Sequence, residues 1–321
     1  MSKFNGASTS NFGGNTATSN FSPTIFSQRV LNFFRTSSVV EGITNNDYYG
    51  ELGSFGDTVR IILEPTINVS AYTRGAAVTS QALTDNEITL EISQANRFQF
   101  QVDDIEVKLS HVNWESLATG SATYALKNAY DKEVLTFMTD SALANNYLGD
   151  AAAANGVIDK FATKALAGAA PILVGFGGGV AVDPLNLLSQ MALVLDEAEV
   201  PEEGRYVVVS PRFMELLART DSKLLSTDYN QGEGGLKNGL AMTGKLRGFS
   251  IYKTNNCPKF SAAVDLLIAG HMSAVATVSS IDKVEKIRSE TTFADIIRGL
   301  HVYGRGVIRK EALVVAAVKY A

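Results

Sequence analysis

Cysteine and histidine are scarce in this chain of 321 residues, which contains one cysteine and three histidines. A single thiol, Cys257, cannot form a disulfide within the chain, and His111, His271 and His301 show no metal-ligand spacing. We therefore expect neither a disulfide scaffold nor a metal site, and the sequence indicates no cofactor.

Positive charge is also in short supply, because 28 Lys and Arg residues face 33 Asp and Glu residues and give a net charge of -5. A protein that coats nucleic acid neutralises phosphates with its own basic side chains, so a histone-like or nucleocapsid protein is not expected. The N-terminus has no basic region before an apolar core, and we expect no secretion signal. The apolar stretch 165–182 contains a proline and five glycines, so it does not predict a membrane span.

Signatures of catalysis are missing as well. The glycine run at 175–179 lacks the last glycine of the dinucleotide fingerprint and precedes no Lys-Ser or Lys-Thr pair, and the chain has no Gly-x-Ser-x-Gly elbow. The adjacent carboxylates Asp103 and Asp104 would point to opposite faces of a strand, which favours a solvated or interface role over a shared acid-base site. We expect no catalytic residues.

The first part of the chain predicts an arm followed by a hairpin. Residues 4–28 carry no charge and are rich in Asn, Ser, Thr and Gly, with four phenylalanines, so this segment should not fold alone. Within 57–107, apolar residues alternate with polar ones over 59–63, 88–92 and 97–102, which predicts half-buried strands. No helical pattern there could cover the apolar face, so we expect the hairpin to need a partner.

The rest of the chain mixes helices and strands. Helical spacing predicts one long helix over 113–147, followed by an irregular connector over 149–182. Asp183 with Pro184 predicts a capped helix, 206–209 a buried strand, and Ser210 with Pro211 a second capped helix. We interpret 228–239 as a mobile loop and the chain from 249 to 321 as mainly short strands. The expected fold class is α+β.

Charge is distributed unevenly along the chain. Residues 1–107 carry 6 basic and 11 acidic side chains, whereas residues 281–321 carry 8 basic and 5 acidic ones. These opposite charges either meet between subunits or form separately solvated faces.

Several segments together resemble the major capsid protein family of tailed bacteriophages, which has the Hong Kong 97-like fold. They are 47–61 (DYYGELGSFGDTVRI), 72–104 (YTRGAAVTSQALTDNEITLEISQANRFQFQVDD), 201–211 (PEEGRYVVVSP), 248–258 (GFSIYKTNNCP) and 293–313 (FADIIRGLHVYGRGVIRKEAL). Their order covers most of the chain and agrees with the segmentation above.

The resemblance implies a domain map with an extended β-hairpin loop, a peripheral domain with a long spine helix and an axial α/β domain. Its parts are an N-terminal arm (1–28), a connecting segment of the peripheral domain (29–56), the hairpin loop (57–107), the peripheral domain with spine helix and connector (108–182), the axial domain (183–270), and C-terminal strands that complete the peripheral domain (271–321). In the family the hairpin lies across the neighbouring subunit. The residues expected at that subunit interface are Phe12, Phe21, Tyr72, Arg74, Gln81, Leu83, Asp85, Arg97, Asp103 and Asp104.

The implied function is structural: the chain would self-assemble, as hexamers and pentamers, into the icosahedral head that encloses the double-stranded DNA genome of a tailed bacteriophage. The implied partners are a separate scaffolding protein, a portal protein, a decoration protein on some shells, and packaged DNA through weak non-specific contacts, with no membrane. The protein would be assembled in the host cytoplasm and reside in the virion capsid. One alternative is a cellular nanocompartment shell of the same fold that encloses a cargo enzyme, and another is an enzyme with a deep ionisable pocket.

Two features depart from the family pattern. Lys310 stands where a proline before the Glu-Ala-Leu run is common, so the last turn is expected to differ. Some members lock the shell with a Lys to Asn isopeptide bond that starts from the hairpin, but this chain has no lysine between Phe4 and Val107. We therefore do not expect that covalent link.

Overall fold

The computed structural model describes residues 38–47, 58–63, 67, 69, 71, 74–75, 80–81, 86–104, 108, 114–143, 145–150, 157–161, 170–176, 181–218 and 246–321. The helices are α1 (Trp114–Ser141), α2 (Pro184–Glu197) and α3 (Pro211–Ala218). The strands are β1 (Thr58–Leu63), β2 (Asn86–Asp103), β3 (Tyr147–Asp150), β4 (Ile158–Phe161), β5 (Ile172–Val174), β6 (Arg205–Val209), β7 (Ser250–Lys253), β8 (Lys259–Ser261), β9 (Val264–His271), β10 (Val275–Arg288), β11 (Ala294–Val307) and β12 (Leu313–Tyr320). The fold is α+β, as the sequence predicts.

Four antiparallel strands form an elongated sheet in the order β1-β2-β11-β10. The strand β2 runs unbroken for 18 residues, although the alternation suggested separate strands over 88–92 and 97–102. The two runs merge because the intervening residues also pair with β11, with one irregularity where Tyr303 lies opposite Gln94 and Gly304 opposite Ile92. An extra residue of this kind bends a strand without ending it.

The second sheet has eight strands, with β12 near its centre between β3 and β9. The sequence analysis assigned all of 271–321 to strands that complete the peripheral domain. In the structure β10 and β11 join the elongated sheet, whereas β12 belongs to the eight-stranded sheet. The physical reason is its composition: 313–318 reads LVVAAV and every one of these residues is buried, which suits a strand covered on both faces.

Helices cover both faces of the eight-stranded sheet. The side chain of Asp183 accepts a hydrogen bond of 2.8 Å from the backbone N–H of Leu185, with Pro184 at the first helical position, so α2 begins as predicted. Together α2 and α3 pack on β6, β9 and β12 through apolar side chains. On the opposite face, α1 contributes Val134, Leu135 and Met138 to a second buried cluster.

Three boundaries differ from the sequence predictions. The long helix ends at Ser141, and β3 then begins at Tyr147. The connector expected to be irregular contains β4 and β5, which pair with β3 and β12. The region expected to hold short strands contains β10 and β11, of 14 residues each.

Glycines explain why β11 did not look like a long strand. A Cβ on Gly299 would lie 2.2 Å from the Phe98 ring, because that ring lies directly across the strand. A Cβ on Gly304 would lie 2.6 Å from the backbone oxygen of Glu91. These glycines permit close approach within a strand and do not mark turns.

The base of the hairpin is covered within its own chain, so a partner is not needed there; the need for a partner at the rest of the hairpin stays a prediction. Leu90 of β2 is only 1% exposed, in a buried cluster with Ala276 and Val278 of β10. Ile61 of β1 and Ile308 pack against the same cluster. The arm 1–28 and the loop 228–239 lie outside the described residues.

The described parts of the chain contain no helix that is long and apolar enough to cross a membrane. They also contain no group of His, Cys, Asp and Glu side chains that could hold a metal ion.

Candidate assembly surface

The far end of the hairpin exposes apolar side chains. In the register of β1 with β2, Arg60 and Ile62 share the face that also carries Glu87, opposite to the covered face of Leu90. Ile62 is 79% exposed, and Val69, farther along the hairpin, is 97% exposed. The Arg60–Glu87 ion pair at 3.5 Å is open to solvent, so it adds little stability and leaves both charges accessible.

Five of the ten predicted interface residues are described by the structure, and these five are spread along the hairpin and do not converge on a pocket. Arg74 and Gln81 are exposed, and Arg97 is exposed on β2 opposite Leu300 of β11. Asp103 and Asp104 lie where β2 ends, roughly 20 Å from Arg97 by the rise of a strand. Phe12, Phe21, Tyr72, Leu83 and Asp85 lie outside the described residues. The contact of these ten residues with a neighbour stays a prediction.

Asp104 takes part in an ion-pair cluster within the chain. Its two carboxylate oxygens accept hydrogen bonds from the Arg288 guanidinium, one of them at 2.8 Å. Arg288 also reaches Asp295 at 3.1 Å, and Lys286 reaches Asp295 at 3.2 Å. Hydrogen bonds from Arg288 hold the pKa values of the Asp104 and Asp295 carboxyl groups below their usual range. At this point the acidic hairpin region and the basic C-terminal region therefore meet in one subunit.

Polar and aromatic contacts hold α1 against the elongated sheet. Glu133 accepts hydrogen bonds from the Tyr303 hydroxyl and from the Asn96 side chain, the latter at 3.2 Å. The Tyr130 ring meets the Tyr303 ring edge-on at 4.9 Å between centroids. Burial, and next the hydrogen bond to Glu133, raise the pKa of Tyr303. The phenol therefore stays protonated and keeps donating.

The connecting segment that precedes the hairpin is anchored on α1 by a buried carboxylate. Asp131 is only 1% exposed and accepts hydrogen bonds from the Ser38 hydroxyl at 2.7 Å and the Val39 N–H at 3.2 Å. Burial raises the pKa of Asp131, and the bond from Ser38 acts against that shift. These bonds hold Ser38 and Val39 in a fixed position on the helix.

Beside this connecting segment lies a groove of about 380 Å³ between α1 and the elongated sheet. Its lining is largely apolar and aromatic, with Phe98, Leu126 and Tyr130 among the side chains. Glu41 and Lys127 also line it, with their charged groups 3.9 Å apart.

Cys257 is buried elsewhere, where its thiol donates to the Leu266 carbonyl at 3.0 Å and burial raises the pKa of the thiol. A neutral thiol held in this way is a poor nucleophile.

Sequence reasoning missed the exposed apolar side chains. Ile62 and Phe293, which are 79% and 82% exposed, were not among the predicted interface residues. A signal existed for Ile62: in a half-buried strand, the adjacent Ile61 and Ile62 cannot both face the core. Phe293 lies in the turn between β10 and β11, where a large aromatic side chain needs a reason to be exposed.

Comparison with known proteins points to one family. A sequence model described as phage capsid protein matches residues 64–316. A structure from Mycobacterium phage Che8 is similar at 29% identity and a TM-score of 0.74, with 93% of this chain and 98% of that chain covered. Two further capsid structures share the fold. That of the Cyanophage P-SCSP1u has 18% identity and a TM-score of 0.67, with 96% of this chain and 95% of that chain covered. That of the bacteriophage PhiM1 mature capsid has 16% identity and a TM-score of 0.64, with 96% of this chain and 94% of that chain covered. No curated protein sequence matches.

Proposed function

The chain belongs to the phage capsid protein family, and from this premise we propose how its surfaces build the shell. The protein is a structural component of a phage head, and its fold is that of phage major capsid proteins. The nanocompartment alternative is not favoured, because the matching family and the similar structures are phage capsids.

The exposed end of the hairpin is the observation that carries the proposal in finer detail. Its base is packed in its own subunit through Leu90, while Ile62 and Val69 at the other end are open to water. Apolar side chains on a supported projection gain free energy when a second subunit covers them. We infer that this end lies on a neighbouring copy within hexamers and pentamers, which close into an icosahedral head around double-stranded DNA.

A purely structural role, with no catalysis, is part of the proposal. Its support is that those predicted interface residues that the structure describes on β2, from Arg97 to Asp104, are spread over about 20 Å, as in an interface, and that Cys257 is buried as a neutral thiol. Reactive groups in an active site would converge within hydrogen-bonding reach of one another.

The proposed partners other than the chain itself are a separate scaffolding protein, a portal protein, a decoration protein on the outer surface, and DNA through weak contacts. The net charge of -5 supports the weak contacts, because a packaging motor can fill a shell whose subunits do not neutralise phosphates. We place assembly in the host cytoplasm and the mature protein in the virion. Particles of uniform and correct size formed by this chain alone would refute the need for a scaffolding protein.

The test is negative-stain electron microscopy, with size-exclusion chromatography and light scattering, of the chain expressed with and without its neighbouring genes. We expect closed shells or capsomers. A stable monomer or dimer under every condition would overturn the proposed assembly. Nuclease-protected DNA in particles from infected cells would support genome packaging, and a proteinaceous cargo without DNA would refute it.

A further inference from the structure

The strand β10 is the outermost strand of the elongated sheet, and its inner edge pairs with β11. At its beginning, Asn45 forms a bridge to Ala276, and the Thr277 N–H donates to the Asn45 carbonyl. Beyond Thr277, no strand in the described parts of the chain joins the outer edge of β10. A long strand edge without proline is a ready template for pairing with another chain.

The sequence of this edge is complementary to itself when read backwards. Residues 281–287 read IDKVEKI. In an antiparallel pair of two copies centred on Val284, each isoleucine lies opposite an isoleucine and each charge opposite its counter-charge: Ile281 opposite Ile287, Asp282 opposite Lys286, and Lys283 opposite Glu285. Cross-strand pairs of these kinds stabilise a sheet, whereas like charges destabilise it.

The geometry of the strand agrees with this register. Positions 281–287 lie beyond the irregularity between Ser279 and Ile281, so the backbone register with β11 is continuous over the proposed pairing. Val284 is 52% exposed and Ile287 is 39% exposed, on opposite faces of the sheet. One apolar side chain on each face is thus available for contact.

Charge alternation already exists on the inner side of β10. Glu285 accepts a hydrogen bond of 2.8 Å from Arg298 of β11, and Lys286 pairs with Asp295 of β11 at 3.2 Å. A second copy would place Lys283 on the other side of Glu285 and Asp282 on the other side of Lys286. Glu285 and Lys286 would then each lie between two opposite charges.

We propose that the outer edge of β10 pairs antiparallel with β10 of a second copy about a two-fold axis at Val284, joining two four-stranded sheets into one of eight. Such a contact is isologous, because the same residues serve both sides. The inference rests on the proposed function, since a shell brings copies of the chain together around two-fold axes.

Cysteine cross-linking in assembled particles tests the proposal. The native Cys257 is buried, so a single new thiol on β10 is the accessible one among the described residues. Val284→Cys brings two thiols together across the axis, because Cβ atoms directly opposite in antiparallel strands are about 4.5–5.5 Å apart. Ile287→Cys is the matched control: its two copies would be six residues apart along the strands, roughly 20 Å.

We expect oxidation, or a short bis-maleimide, to give a covalent dimer in Val284→Cys particles at least about tenfold more abundant than in Ile287→Cys particles. Particles in which Ile281→Cys and Ile287→Cys chains are mixed should cross-link the two chain types, because those positions face each other. Equal cross-linking of Val284→Cys and Ile287→Cys, or particles without cross-links in any variant, would overturn the pairing. Failure of the unmodified chain to form particles would instead refute the proposed function, so the two failures are distinguishable.

Discussion

Replacing Leu90 with alanine tests whether the hairpin is supported by its own subunit. The side chain is 1% exposed, in a cluster with Ala276 and Val278, and a Cβ on Gly306 would lie 2.9 Å from its terminal methyl group. Removing it loses the transfer free energy of the deleted carbons and leaves a cavity. The buried neighbours Ala276 and Val278 have short side chains on hydrogen-bonded strands, so they can fill little of the cavity. We expect the subunit's free energy of unfolding to fall by about 3 kcal/mol.

The contrasting variant is Ile62→Ala, on the same hairpin. Because Ile62 is 79% exposed, its loss should change the subunit's free energy of unfolding by less than about 0.5 kcal/mol. In a shell that buries this side chain between subunits, the same variant should reduce the free energy of association at each such interface by about 1–2 kcal/mol. Its particle yield should therefore fall although the subunit is stable.

Both variants can be measured by urea denaturation of unassembled subunits, followed by circular dichroism, and by sedimentation of assembled particles. Ile62→Val, which keeps most of the apolar surface, is the control for assembly. Equal destabilisation of the subunit by Leu90→Ala and Ile62→Ala would refute the division into a supported base and an open end. An unchanged stability of Leu90→Ala would refute the packing of the base.

Three further perturbations follow from the same surfaces. Arg74→Glu, on an exposed turn of the hairpin, should impair assembly with little effect on subunit unfolding, and a normal particle yield would contradict the hairpin interface. Deletion of residues 2–22 should lower the melting temperature of the shell more than that of the subunit, and equal losses by calorimetry would mean that the arm packs within its own chain. Asp131→Ala should cost about 1–3 kcal/mol in denaturant unfolding, because the buried Val39 N–H loses its acceptor. Asp131→Asn, which keeps an acceptor, should cost less; a cost equal to that of alanine would contradict this account.

The pH dependence at Asp131 has a definite sign. Since burial raises its pKa above that of the unfolded chain, the folded state binds the proton more tightly, and this group's contribution to stability improves as pH falls through the raised pKa. Asp104 and Asp295 behave oppositely, because their lowered pKa values give stability that is lost as pH falls through those values. Asp131→Asn should remove only the first effect, as followed by unfolding at a series of pH values. A pH profile unchanged by Asp131→Asn would contradict a raised pKa.

Features set by local sequence were predictable, and those set by long-range pairing were not. The start of α2 at Asp183 and Pro184 and the strand β6 followed from capping and from an apolar run. The sheet to which β12 belongs depends on contacts with β3 and β9, which are far away in the sequence, so local sequence could not assign β12 to a sheet. The place of Gly299 inside the long strand β11 could not be predicted from local sequence, because the Phe98 ring that it accommodates lies on another strand.

The candidate interface was predictable only where the pattern of apolar and polar residues along the sequence determines the structure. The hairpin was found through its alternation, but the ion pair of Asp104 with Arg288 could not be read from sequence, because 184 residues separate the partners. Ile62 was recoverable from two adjacent isoleucines. The charge order in 281–287 was visible as well, yet it gains meaning only when β10 is known to be an edge strand.

The helix α1 couples the two sheets, and this limits where the subunit can adjust its shape in a shell. Tyr130 and Glu133 contact β11 of the elongated sheet, while Val134 and Met138, within two turns, are buried in the core of the eight-stranded sheet. The Arg305 guanidinium donates to the Glu133 carbonyl at 2.6 Å and lies 4.8 Å from the centre of the Phe137 ring. Because close-packed interfaces resist small continuous shifts, the two sheets should move as one body. Differences in curvature between neighbouring subunits must then be taken up at the exposed end of the hairpin and at contacts between edges.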